Sequence, residues 1–151
     1  MNFTEHIINL INKKIKETGK KKKLVLPESD DVRTLEAISK LSKKDWLDKV
    51  CAIGDKDKIY KLAKDNNIDI SNVVIYNPVT CPKFDEFVEK YYEMRKSKGV
   101  SKEDAAKIMK NNLFYSAMLL HTGVVDGMVA GAVNTTADVL KSAIQIVKTM
   151  P

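Results

Sequence analysis

Apolar residues recur first at helical spacing. Phe3, Ile7, Ile8, Leu10, Ile11 and Ile15 fall on one side of an expected amphipathic helix that runs to about Thr18, with Gly19 as its stop. A basic run at 20–23 follows, and then Leu24-Val25-Leu26-Pro27, a short apolar stretch ended by proline, reads as a buried strand. After the polar turn Glu28-Ser29-Asp30-Asp31, which supplies capping oxygens, Val32, Leu35, Ile38 and Leu41 predict a second helix.

The unit then repeats. Val50-Cys51-Ala52-Ile53 is a second strand, Gly54-Asp55 turns the chain, and Ile59, Leu62 and Ala63 ride a helix that ends near Asn66-Asn67. Val73-Val74-Ile75-Tyr76 gives a third strand closed by Asn77-Pro78. Phe84, Phe87, Val88, Tyr91 and Tyr92 predict a helix to about Ser97, stopped by Gly99. Ser101-Lys102-Glu103-Asp104 has the form of a capping box for the next helix, and 113–120 extends the helical region. The last unit has a strand expected over 124–130, a tight crossing at Gly131-Ala132-Val133-Asn134, and a helix capped at Thr135-Thr136-Ala137-Asp138. That helix continues through Val139, Leu140, Ala143, Ile144 and Ile146. Strands alternating with helices at this spacing predict a three-layer α-β-α fold, a mostly parallel sheet with helices on both faces and right-handed crossovers.

The 151 residues suit one core, which at this size buries roughly 68–70% of the unfolded surface without help from disulfides or a structural metal. No run of about 18 apolar residues occurs, which excludes a membrane-spanning helix. The N-terminal charges follow the short apolar stretch, the reverse of a signal peptide, so the expected location is the cytoplasm. The net charge is +6, yet only Arg33 and Arg95 of the 26 basic residues are arginines. Nucleic-acid binding is therefore not expected, because bidentate phosphate and base contacts rely on arginine. A positive field still favours anionic small molecules.

Cys51 and Cys81 lack CxxC spacing and a neighbouring histidine, so neither zinc nor a redox pair is expected. Cys51 reads as a buried strand residue, and Cys81 falls on a turn. His121 is expected at a helix C-terminus, against the dipole. Small residues at the 131–136 junction let a ligand approach backbone N–H groups, and this is the expected phosphate position, although neither a P-loop nor GxGxxG is present.

Three stretches, LVLPESDDVRTLEA at 24–37, YYEMRKSKGVSKEDA at 91–105 and FYSAMLLHTGVVDGMVAGAVNTTADVLKSAIQIVKT at 114–149, resemble the phosphate acetyltransferase (phosphotransacetylase) family in order and spacing. The resemblance implies that 1–151 is the first of two α/β domains, broken off where the second begins. It also implies interconversion of acetyl-CoA plus phosphate with CoA plus acetyl phosphate in a cleft between the domains. By the same resemblance the catalytic residues lie in the second domain, so none is assigned here and the fragment alone is expected to be inactive. Arg95 matches a family arginine associated with the phosphoryl substrate. Lys141 stands where the family commonly has arginine, keeping the charge and losing the fork. Asn134, Thr135 and Thr136 complete the expected substrate-binding set, and Glu28, Ser29 and Arg33 are expected near the cleft. No metal and no permanently bound cofactor are expected, coenzyme A and acetyl-CoA being substrates. Full-length chains are expected to form a homodimer. A phosphate butyryltransferase domain and a non-catalytic phosphate- or CoA-binding regulatory module are the alternatives.

Overall fold

The computed structural model describes residues 2–148. Residues 149–151, where the resemblance has the first domain broken off, lie outside them. The elements are α1 (Phe3–Thr18), β1 (Lys22–Leu26), α2 (Val32–Ser42), β2 (Leu47–Ile53), α3 (Lys56–Asp65), β3 (Val73–Tyr76), α4 (Phe84–Arg95), α5 (Lys102–Met109), α6 (Asn112–His121), β4 (Gly127–Met128) and α7 (Thr136–Ser142). A 3₁₀ turn, Lys96–Lys98, extends α4, and a π-helical turn, Ala143–Val147, extends α7.

All strand pairs are parallel, in the order β3-β2-β1-β4. Alternation along the strands sorts side chains to two faces. Val25, Cys51 and Ile53 face a layer containing Phe87 and Tyr91 of α4, Met109 of α5, Leu119 of α6 and Ile146 of the π turn. Leu26, Val50 and Ala52 face Leu35 and Ile38 of α2 and Ile59 and Ala63 of α3. The expected three-layer α-β-α arrangement is therefore the one observed.

Local chemistry sets the boundaries. The Asn2 side chain accepts from the Glu5 N–H while the Glu5 carboxylate accepts from the Asn2 N–H, closing a capping box on α1. Ser101 Oγ caps α5 through the Asp104 N–H. The helical region between residues 102 and 121 divides in two, because Asn111 Oδ1 accepts from the Leu113 and Phe114 N–H groups and starts α6 afresh. His121 does close α6, and Cys51 is buried.

Three elements differ from their expected form. The strand expected over 124–130 pairs only at Gly127–Met128, flanked by ladder bonds from Asp126 N–H to Lys23 O and from Val129 N–H to Val25 O. It is an edge strand among the described residues, and close approach to β1 is what its glycine permits: a Cβ on Gly127 would lie 2.8 Å from Leu24 Cδ2. The last helix does not stay α-helical, since Lys148 N–H donates to Ala143 O, five residues back. Helix α1 covers its expected range, but its apolar side is not packed: it buries no residue, and Phe3 and Leu10 stay exposed. Among the described residues no helix is long and apolar enough to cross a membrane.

Core and surface should separate clearly in a urea titration. Leu35→Ala, at a fully buried position, is expected to cost about 3 kcal/mol. Leu140→Ala, at an exposed one, is expected to cost less than about 0.5 kcal/mol. Equal losses at both sites would contradict the two-face core.

Candidate functional site

The chain leaves β1 toward β2 and β3 on one side and returns to pair β4 on the other, so the strand order reverses between β1 and β4. In open α/β sheets the crevice beyond the carboxyl ends at such a reversal is the usual ligand position. Here the β1–α2 turn meets the β4–α7 loop in that crevice.

Glu28, the second residue after β1, is 4% exposed and places its carboxylate in the loop. Its Oε2 accepts from the N–H groups of Gly131 (3.0 Å) and Ala132 (2.8 Å). Its Oε1 accepts from the N–H groups of Val133 (2.9 Å) and Asn134 (2.6 Å) and from Asn134 Nδ2 (2.9 Å). Burial pushes the carboxyl pKa up, but the N–H groups of Asn134, Val133 and Ala132 and the Asn134 amide outweigh it and bring the value down from 4.5 to about 2. The loop turns into this cradle at Gly131, whose φ of +113° suits a residue without a side chain.

The surrounding groups brace the same turn. Ser29 Oγ donates to Leu26 O and accepts from Ile53 N–H, joining the ends of β1 and β2. Asp31 caps α2 through the N–H groups of Arg33 and Thr34. Arg33 grips that carboxylate with Nε and Nη2, both at 3.0 Å, and Nη2 also donates to Ala132 O. The Arg33 guanidinium is the leading cause holding the Asp31 carboxyl below its usual range. Thr135 Oγ1 caps α7 by accepting from Asp138 N–H.

The sequence-expected residues thus fall into two groups. Glu28, Ser29, Arg33, Asn134 and Thr135 converge at the carboxyl edge, with Thr136 exposed as the first residue of α7. The N–H groups at which a phosphate was expected are held by Glu28. Arg95 closes α4, and no described hydrogen bond or ion pair links it to the Glu28 cluster. It stands beside Tyr91, where burial, the larger cause, raises the phenol pKa while the Arg95 charge and a side-chain hydrogen bond from Arg95 act to lower it. Tyr91 Oη donates to Gln145 Oε1 at 2.6 Å. Arg95 Nε is shielded from solvent and has no hydrogen-bond partner. Lys141 is exposed on α7, one helical turn before Gln145.

Sequence reasoning missed what Glu28 does. A glutamate in a polar turn reads as solvated, and the available signal was its position directly after a buried strand and proline, opposite a run of small residues at 131–134.

The fold and its reversal-point crevice define an α/β domain of the kind that binds ligands beyond the carboxyl ends of its strands. The family model for phosphate acetyl/butaryl transferase matches residues 6–151, and the chain belongs to that family. It is 41% identical over 151 residues to a phosphate acetyltransferase of Acetivibrio thermocellus, covering all of this chain and 43% of that protein. It is 37% identical over 145 residues to one of Staphylococcus aureus, covering 96% of this chain and 43% of the relative. The chain therefore spans about two fifths of the length of these relatives. The EutD phosphotransacetylase from Staphylococcus aureus superposes with a TM-score of 0.88 at 36% identity, and a phosphotransacetylase from Streptococcus pyogenes with 0.86 at 32%. Each comparison covers 100% of this chain and 44% of the other.

The Glu28 pKa sets a pH dependence. A carboxyl depressed in the folded state stabilises above its unfolded pKa, and that contribution is lost as pH falls toward the folded value. About 3 kcal/mol should be present above pH 4.5 and lost between pH 4.5 and about 2. Glu28→Gln leaves N–H groups without acceptors and should lower stability at pH 7 by about 2–3 kcal/mol while flattening that acid limb. An unchanged acid limb in the variant would show that another carboxylate is responsible.

Proposed function

We propose that the chain is the first of two domains of a phosphate acetyltransferase, catalysing acetyl-CoA + phosphate = CoA + acetyl phosphate, and that it supplies substrate anchors while the reacting groups reside in the second. Three observations support the reading: family membership, the names of the relatives, and the fraction of their length that this chain spans. The observation that carries the site assignment is Arg95, whose Nε is shielded from solvent without a partner. Leaving a buried donor unmade costs free energy, and an anionic ligand removes that cost.

The chemistry calls for such groups. The CoA thiolate and the phosphoryl oxygens are both anionic, and joining them at one carbonyl carbon requires cationic donors that compensate the charge. In the forward direction phosphate oxygen forms a bond to the acetyl carbon, the C–S bond breaks, and the sulfur leaves with its electron pair to take a proton. Arg95 holds phosphate oxygens with its planar fork. Lys141 adds a second positive charge on the neighbouring helix. Asn134, Thr135 and Thr136 act by holding the loop and the start of α7, and Glu28, Ser29 and Arg33 by fixing the turn against it. The reading also places the protein in the cytoplasm, in acetate metabolism, as a homodimer without a resident cofactor.

The test is CoA-thiol release from acetyl-CoA and phosphate by the full-length gene product, with butyryl-CoA run alongside. Arg95→Ala is expected to lower kcat/KM about 10²-fold, and Arg95→Lys to recover only part of it. Faster turnover of butyryl-CoA would make the enzyme a phosphate butyryltransferase. Absence of thiol release from either thioester would leave a phosphate- or CoA-binding module as the better account, and full activity in Arg95→Ala would remove that residue from the site.

A further inference from the structure

Two cysteines and two tyrosines gather on the face of the sheet that α4, α5 and α6 cover. Cys51 of β2 and Tyr115 of α6 belong to the core cluster there, and Tyr76, at the end of β3, and Cys81, in the turn before α4, pack against it. Tyr115 is fully buried, with its ring 5.4 Å from that of Phe87 between centroids. Its hydroxyl is shielded from solvent and has no hydrogen-bond partner among the described residues. A buried tyrosine hydroxyl usually finds an acceptor, and leaving the donor unmade costs free energy.

The side chain that this hydroxyl faces is Cys81. Burial raises the Tyr115 phenol pKa most, and the approach of the Cys81 sulfur raises it further, with Tyr76 a weaker neighbour. A thiol sulfur is a weak acceptor, and the approach does not reach a hydrogen bond of good geometry. Cys81 is partly open to solvent, so its sulfur is bordered by the core hydroxyl on one side and by water on the other. Cys51 provides the contrast within the same cluster: it is 2% exposed, and burial pushes its thiol up to about 11.

We propose that Cys81 is a modification site, oxidised to a sulfenic acid by hydrogen peroxide, and that the buried Tyr115 hydroxyl holds the product. The thiol first gives its proton to water. The thiolate attacks one peroxide oxygen, the S–O bond forms as the O–O bond breaks, and the departing hydroxide takes a proton to become water. Sulfur loses two electrons and the peroxide gains them. The added oxygen is a better acceptor than sulfur and sits on the side chain that the orphaned hydroxyl faces, so a donor without a partner in the reduced protein acquires one in the oxidised protein. A second thiol within reach would convert a sulfenic acid to a disulfide, but Cys51 is closed off in the core, and the sulfenic acid is the expected end point. The inference does not rest on acyl transfer, because it uses no residue of the Arg95 group.

The measurement exposes the full-length gene product briefly to hydrogen peroxide, removes the peroxide with catalase, adds dimedone at increasing delays to trap sulfenic acid, and locates the adduct by peptide mass spectrometry. Adduct is expected at Cys81 in at least about tenfold excess over Cys51. Tyr115→Phe keeps the ring and removes only the unpartnered hydroxyl, so its melting temperature in the reduced state should equal or exceed the parent's. In that variant the Cys81 sulfenic acid should decay about tenfold faster, because the donor that holds its oxygen is gone. Oxidation should also raise the melting temperature of the parent relative to that of Tyr115→Phe, a difference that ring packing alone would not produce. Absence of adduct at Cys81, or equal labelling of Cys51, would overturn the site. Equal sulfenic acid lifetimes in the parent and in a folded Tyr115→Phe would overturn the role of the hydroxyl and with it the proposal.

Discussion

The carboxylate of Glu28 ties the end of β1 to the loop that follows β4, across the point where the sheet changes direction. Edge strand β4 pairs with β1 at only two residues, too short a ladder to fix the long loop beyond it. Four consecutive backbone N–H groups and one side-chain amide close on a single buried anion, so the loop's donors are satisfied without a ligand and the start of α7 is set by the same contact. Such a cradle of successive N–H groups is an anion site by geometry, and in this chain the anion is covalently its own.

That arrangement divides the work of the domain. The carboxyl edge at β1 and β4 is closed by internal bonds, with Arg33 committed to Asp31 and Ala132 and Ser29 committed to both neighbouring strands. Groups with unused capacity lie to either side. Arg95 has an orphaned Nε where α4 meets the π turn, and Cys81, after β3, is faced by the unpartnered Tyr115 hydroxyl. The closed centre holds the two flanks in fixed relation.

Much of the fold was legible because it rests on local periodicity. The apolar runs at 24–27, 50–53 and 73–76 and the helical spacings between them correspond to β1, β2, β3 and their crossovers. The run at 124–130 reads as a strand although Asp126 interrupts it, yet most of it lies outside the ladder, since strand length depends on a neighbour that no local pattern encodes. The π turn after α7 is likewise invisible to a 3.6-residue period. Arg95 and Lys141 were singled out through family motifs alone, and their part in a site belongs to the proposal, whereas the burial of Glu28 depends on a loop more than 100 residues away in the chain. Local sequence reads such a glutamate as solvated, and only the reversal of strand order brings its partners to it.

The most direct test of the central contact is the titration of the Glu28 side-chain carboxyl carbon by NMR, with the amide signals of residues 131–134 followed in the same samples. The structure predicts a midpoint near pH 2 and simultaneous movement of the four amides as the carboxylate is protonated. A midpoint near the ordinary glutamate value of about 4.3, with those amides unmoved, would contradict the account and leave the β4–α7 loop without its anchor.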